Sequence, residues 1–252
     1  MGVLKPAAKS LILDLLSTLR RGTMPVGALV EAGALLGIEE NNIRVSLARL
    51  YASDRVERDE RGRYRLGSAV AAMSDRLRGW RDLNLRQRAT SPWRGDWIAV
   101  HCAKLGRGPA RRRREHALSL LGFRELEASF SLRPDNLRGG LEGVREQLTS
   151  LATGAQQTDC ALGRVFIVRD LDPESDRAAR ALWDAESLID EGHESCEALN
   201  ASIARLPKLS DAEAMVETFL VGGRVLRQLI RHPLLPGEIL DPAPLAELLS
   251  TM

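Results

Sequence analysis

Cysteine, histidine, lysine and aromatic side chains are all scarce in this chain of 252 residues. The three cysteines, Cys102, Cys160 and Cys196, are odd in number and far apart, which excludes a disulfide ladder and any C-x-x-C pair. The four histidines, His101, His116, His193 and His232, are just as scattered, so the paired spacings of a metal site are missing. No metal, cofactor or catalytic residue is expected. No apolar run approaches the roughly 20 residues of a membrane span. The opening MGVLKPAAKS has neither the apolar stretch nor the cleavage site of a secretory signal. The expectation is a cytoplasmic protein with no membrane partner.

What the chain does have is arginine, unevenly spread. Only four of its 36 basic residues are lysine: Lys5, Lys9, Lys104 and Lys208. Residues 1–90 carry 16 Lys/Arg against 10 Asp/Glu, and residues 91–170 carry 13 against 9. Residues 171–252 reverse the balance, with 7 against 15. A basic front suits a polyanion, an acidic rear is repelled by one, and arginine suits bidentate contacts to phosphate and guanine.

Hydrophobic periodicity predicts three helices in the front. Residues 10–21 place Leu11, Ile12, Leu15, Leu16 and Leu19 on one face, with Ser10 as N-cap and Gly22 as stop. Residues 25–36 turn Leu29, Val30 and Leu36 inward, and a short turn at Gly37-Ile38 leads to a third helix over 40–53. RVERDERGRYRL, residues 55–66, then reads as a charged two-stranded hairpin turning at Asp59–Gly62. Three helices and a hairpin in this order match a winged helix-turn-helix. On the third helix Ile43, Leu47 and Leu50 share a narrow arc that must face the core. The opposite arc holds Asn41, Asn42, Val45, Ala48 and Arg49, flanked by Arg44. Asparagine pairs with adenine, arginine with guanine, valine with a thymine methyl, and alanine permits close approach. The hairpin offers Arg55, Arg58, Arg61, Arg63 and Arg65 to phosphate or the minor groove. The competing reading is a solvated polar face beside an ordinary charged hairpin. Motif order, projection and charge together favour DNA, with Asn41, Asn42, Arg44, Val45, Arg49, Arg61 and Arg63 as the contacting residues.

Residues 67–92 read as a charged helical linker, broken at TSPWRGDW by Pro92 and Gly95. The pattern then changes. A strand is expected at 97–102, a helix at 108–122 and a strand at 123–134 bent into two. A glycine-weakened helix follows at 137–151 and a closing strand at 164–171. That order is the split β-α-β, or ferredoxin-like, arrangement. Arg111, Arg112, Arg113 and Arg114 cannot all share one helix face. The residues favour a solvated helix start that packs aliphatic stems over a phosphate contact. G-R-G at 106–108 lacks the third glycine of a nucleotide loop.

Residues 173–252 are expected to be α-helical. One long helix or two shorter ones span 174–206, and another spans 210–231, capped by Ser210 with Glu213. Gly222-Gly223 marks a kink or a close approach, and the Pro-rich 232–244 ends the helix. Trp183 is expected to anchor a core. The fold class is therefore α+β and multidomain. A winged helix-turn-helix occupies 1–66 and a helical linker 67–92. A ferredoxin-like domain for dimerisation and effector binding occupies 93–172, and a helical domain 173–252.

With these segments in view the chain resembles the PaaX-type phenylacetic-acid-degradation repressors. The resemblance is carried by NIRVSLARLYASDRVERDERGRYRL in front, and by Trp80 and WRGDW (93–97) at the junction. LLGFRELEASFSLRPDNL (120–137) carries it in the middle, and ALWDAESL (181–188) with RHPLLPGEILDP (231–242) in the rear. It implies three domains, a homodimer on double-stranded operator DNA, and repression of a catabolic operon relieved by an aryl-CoA thioester. It maps the DNA-reading helix onto 40–53. Arg111–Arg114 are the residues that could meet CoA phosphates. The family's middle domain is similar to ferredoxin-like CRISPR-associated endoribonucleases, which carry an acid at the end of the first strand. VHCAKLG at 100–106 has none, which argues against metal-dependent nucleic-acid hydrolysis, the alternative to a regulator beside a ligand-free DNA-binding adaptor.

Overall fold

The computed structural model describes residues 7–18, 23–59, 61–67, 90–102, 108–153 and 163–252. Residues 68–89 of the expected helical linker, Trp80 among them, with the G-R part of G-R-G, Leu19, Gly22, Lys104 and Cys160, lie outside these, while Gly67 and residues 90–92 are described and are not helical. The chain divides into two compact units, Met1–Arg78 with Lys208–Phe219, and Gly79–Pro207 with Leu220–Met252.

The first unit opens with α1 (Ala8–Thr18), β1 (Thr23–Pro25), α2 (Val26–Leu35) and α3 (Glu40–Ala52), followed by β2 (Val56–Arg58) and β3 (Arg63–Leu66). Leu11, Ile12 and Leu16 of α1, Leu29 of α2 and Ile43, Leu47 and Leu50 of α3 are buried, so each helix turns its apolar stripe inward. The sequence places the hairpin correctly, but the sheet has a third strand. β1 pairs with β3 antiparallel, Thr23 opposite Arg65, giving the order β1-β3-β2. A three-residue strand ending in proline leaves no alternation to read. Ser10 is not the N-cap expected of it. The helix begins at Ala8, so Ser10 lies within the first turn.

The second unit contains β4 (Trp97–His101), α4 (Pro109–Leu120), β5 (Arg124–Glu127), β6 (Phe130–Pro134), α5 (Gly140–Thr153) and β7 (Arg164–Val168). All strand pairs are antiparallel, in the order β5-β6-β4-β7. The expected bend in 123–134 falls at Ser129, whose φ is +68°. Gly139 stands outside α5 and Gly140 only opens it, so the helix body is less weakened by glycine than its sequence suggests.

β4 lies inside the sheet, and its first four residues are buried on both faces. One face carries Ile98 and Val100 into a core with Ala117 and Leu121 of the α4 segment and Val144 and Leu148 of α5. The other carries Trp97 and Ala99 into a core with Trp93, Leu132 and Trp183. Trp97 stacks on Trp183 at 6.2 Å between ring centroids, and Trp93 meets it edge-on at 5.2 Å. Trp183 is buried and donates its Nε1–H to the Gly122 carbonyl at 3.2 Å.

The rear contains α6 (Pro173–Arg180), α7 (Ala185–Arg205), a 3₁₀ turn (Leu206–Lys208), α8 (Asp211–Arg231) and α9 (Ala243–Thr251). The stretch 174–206 is thus two helices. Asp184 caps the second by accepting from Ser187 N at 3.0 Å. Ser210 and Glu213 form the expected reciprocal cap of α8, and Ser210 holds the Glu213 carboxyl below the usual range. α8 continues through Gly222-Gly223 as one helix. Cys196 and Leu199 of α7, Val225 and Leu229 of α8 and Leu248 of α9 form a third core. Among the described residues no helix is long and apolar enough to cross a membrane.

Candidate nucleic-acid interface

α3 is positioned by its buried side. Ile43, Leu47 and Leu50 are at most 2% exposed, and α3 lies against both α1 and α2. The approach to α2 depends on Gly33. A Cβ there would stand 2.7 Å from Cγ1 and 2.9 Å from Cδ1 of Ile43, closer than carbon atoms tolerate. The turn between the two helices is closed by backbone hydrogen bonds from Ile38 N to Gly33 O and from Gly37 N to Ala34 O, both 2.9 Å. This is a Schellman pattern that satisfies the last carbonyls of α2.

The opposite face of α3 is open. Asn41, Asn42, Arg44, Val45, Ala48 and Arg49 are all exposed, and Val45 is 39% accessible although apolar. Sequence reasoning missed Tyr51, which is 54% exposed on the flank of this face. Its hydroxyl is of a kind that donates to phosphate. The available signal was an aromatic near the helix end that falls off the Ile43, Leu47 and Leu50 stripe.

The hairpin β2–β3 presents Arg55, Arg58, Arg61, Arg63 and Arg65 to solvent while Val56 and Leu66 turn inward. Asp59 builds its tip. The Asp59 Oδ1 atom accepts from Arg61 N at 3.0 Å and Arg63 N at 2.8 Å, and Gly62 completes the turn at φ +72°. The arginines are not equally free to meet a partner. The Arg44 Nε–H donates to Glu40 Oε1 at 2.6 Å, and Arg65 pairs with Glu57 at 2.7 Å. Arg58 lies over Tyr64 at 5.9 Å, and Arg63 Nη2 donates to the Thr23 carbonyl at 3.3 Å. Both members of the Arg44–Glu40 pair are more than half exposed, so the attraction is weak and a phosphate can displace the glutamate. Arg49 and Arg61 form no side-chain ion pair among the described residues.

The run Arg111–Arg114 is split by the fold, since four consecutive arginines cannot share one helix face. Arg111, Arg112 and Arg113 are exposed, and Arg111 donates to Glu115 at 2.6 Å. Hydrogen bonding and charge attraction from Glu115 raise the Arg111 pKa above its ordinary value. Arg114 is 7% exposed. Among the described residues no group of three or more His, Cys, Asp or Glu side chains is placed to hold a metal ion.

Three comparisons bear on the chain. Over 97% of its length, and 92% of the other chain, it is similar to the solved structure of the uncharacterized protein Rv0674 from Mycobacterium tuberculosis, at 25% identity and a TM-score of 0.60. No curated protein matches it. Residues 7–70, the segment holding α1–α3 and the hairpin, match the family model described as PaaX-like protein.

Proposed function

We propose that this chain is a DNA-binding transcription regulator, a repressor, whose first unit is a winged helix-turn-helix with α3 as the helix read into the major groove. The observation that carries this reading is the two-sided character of α3, buried at Ile43, Leu47 and Leu50 and open at Asn41, Asn42, Val45 and Arg49. The family match over residues 7–70 and the arginine-bearing hairpin support it. Asn41, Asn42, Arg44, Val45 and Arg49 read base edges, and Arg61 and Arg63 hold the backbone.

In the same reading 1–66 is the DNA-binding domain, 93–172 a ferredoxin-like domain for dimerisation and effector binding, and 173–252 a helical domain. The strand order β5-β6-β4-β7 with both helices on one face supports the ferredoxin-like part. A two-fold homodimer places two α3 helices about 34 Å apart, or a multiple of that, on a near-palindromic site. A small effector, in the family's manner an acyl-CoA thioester, releases the operon by preferring one arrangement of the dimer.

The test is a gel-shift titration on a duplex selected from random DNA by the wild-type protein. Arg49→Ala is expected to weaken that complex by roughly 10-fold or more while its circular dichroism stays unchanged. Arg61→Ala and Arg63→Ala are expected to weaken binding to all duplexes alike and to lower the salt slope by about one each. Unchanged affinity in Arg49→Ala would refute the assignment.

A further inference from the structure

α4 and the sheet enclose a cavity of about 290 Å³. Its wall is made by Arg114, Leu118 and Ser119 of α4, Arg124 and Glu125 of β5, and Ser131 of β6, among others. The volume is at the low end of small-molecule pockets. Arg114 is the feature that needs explaining. Its Nε and Nη1 atoms are sealed from water and have no hydrogen-bond partner among the described residues. Those two nitrogens carry three of the five N–H donors of a guanidinium. A buried cation is tolerated when acceptors and a counter-charge reach it, and an orphaned one is expensive.

The carboxylates in the wall are already engaged. Glu115 is paired with Arg111 at 2.6 Å, and Glu125 Oε1 accepts from the Ser129 amide at 2.7 Å. The second arginine, Arg124, spends Nη1 on the Phe123 carbonyl at 3.0 Å, and its burial lowers its pKa. Three arginines therefore face two glutamates around the cavity, which leaves one positive charge uncompensated. Ser119, Ser129 and Ser131 add hydroxyl donors to the same wall.

We propose that this cavity is an oxyanion-binding site in which Arg114 receives a phosphoryl or carboxylate group of a small ligand. Nε and Nη1 do not touch the void as the structure stands, so binding includes a turn of the guanidinium toward the ligand, which supplies the acceptors that the fold withholds. The cavity has room for one such head group and a short body. The site stands on this geometry alone and does not rest on the DNA-binding reading.

The full-length protein, without DNA, is melted in inorganic phosphate, in acetate and in chloride at matched ionic strength. A rise of about 3 °C or more over chloride is expected with at least one of the two probes at concentrations well above its Kd. A rise with phosphate alone identifies a phosphoryl ligand, and one with acetate alone identifies a carboxylate. Arg114→Met is expected to lose the rise, and Arg112→Met, on the exposed part of the same run, to keep it. Should Arg114→Met fail to fold, Ser131→Leu fills the cavity from the sheet and is expected to lose the rise as well. No anion-specific rise in the wild type, or an equal rise in the variants that remove or fill the site, would overturn the proposal.

Discussion

The guanidinium of Arg133 donates to the side-chain oxygen of Asn136 at 2.8 Å, with both residues only 1% exposed. Asn136 passes the connection on, donating Nδ2–H to the Leu234 carbonyl at 2.8 Å. Arg133 also donates to Pro134 O at 3.0 Å and to the carbonyl of Leu121, the cap residue at the C-terminus of α4. Burial pulls its pKa down to about 9, against a smaller opposing pull from Asp135. At neutral pH the charge persists, held by three acceptors, one of them at the negative end of a helix dipole.

Removing Asn136 should therefore cost far more than one exposed hydrogen bond. Asn136→Ala leaves Nη2 of Arg133 and the Leu234 carbonyl without these partners in the interior. A loss of about 3 kcal/mol is expected. Trp93, Trp97 and Trp183 all lie in the second unit, so tryptophan fluorescence in urea reports this transition. A loss below about 1 kcal/mol would mean that water or a shifted side chain replaces the amide.

That network was invisible in the sequence, and the reason is physical. FSLRP reads as a strand, and nothing in its pattern distinguishes a buried arginine from one at an edge. Arg133 becomes necessary only when β6 pairs with β4, setting Arg133 opposite Ile98, and α4 ends within its reach. Arg114 escaped notice for a related reason, because helical periodicity limits how many of four arginines can face inward but does not say which. β1 and α9 were missed because a three-residue strand and a nine-residue helix behind prolines carry little periodicity. The open face of α3 was legible, because Ile43, Leu47 and Leu50 at helical spacing fix which side is buried.

The contact between Gly33 and Ile43 gives a second test, confined to the first unit. Gly33→Ala is expected to destabilise α2 against α3 by about 1–3 kcal/mol, because the new methyl enters the space of Ile43 Cγ1 and Cδ1. In an Ile43→Ala background those atoms are gone, and the same substitution should be nearly neutral. Hydrogen exchange of the α3 amides measures all four corners of the cycle. Additive losses would show that the two residues do not compete for one space.

The pair between Arg44 and Glu40 predicts a gain of function on DNA. Glu40→Ala removes the carboxylate that holds Arg44 at 2.6 Å and repels phosphate. Exposed pairs of this kind are worth at most about 1 kcal/mol, so folding should be unaffected. Affinity for nonspecific duplex at low salt is expected to rise about 3-fold, and the gain to shrink as salt is added. Fluorescence anisotropy with a labelled duplex reads both effects. Unchanged or weaker binding would place Glu40 and Arg44 away from the DNA.

Asp172, the N-cap of α6, supplies a prediction about acid. Its carboxylate accepts from the Ser175 hydroxyl at 2.6 Å and from the amides of Ser175 and Glu174 at 3.0 Å, which together hold its pKa below the ordinary 3.8. The hydroxyl is the largest cause. A carboxyl depressed by folding stabilises the native state above its ordinary pKa, and that contribution is lost as the pH falls through the folded-state value. The Asp172 carboxyl carbon, followed by ¹³C NMR, should titrate below 3.8, and Ser175→Ala should move its midpoint up toward that value. The melting temperature of Ser175→Ala should fall below wild type at neutral pH, and the difference should narrow once the cap is protonated. A midpoint unmoved by Ser175→Ala would assign the depression to the backbone amides and the helix dipole instead.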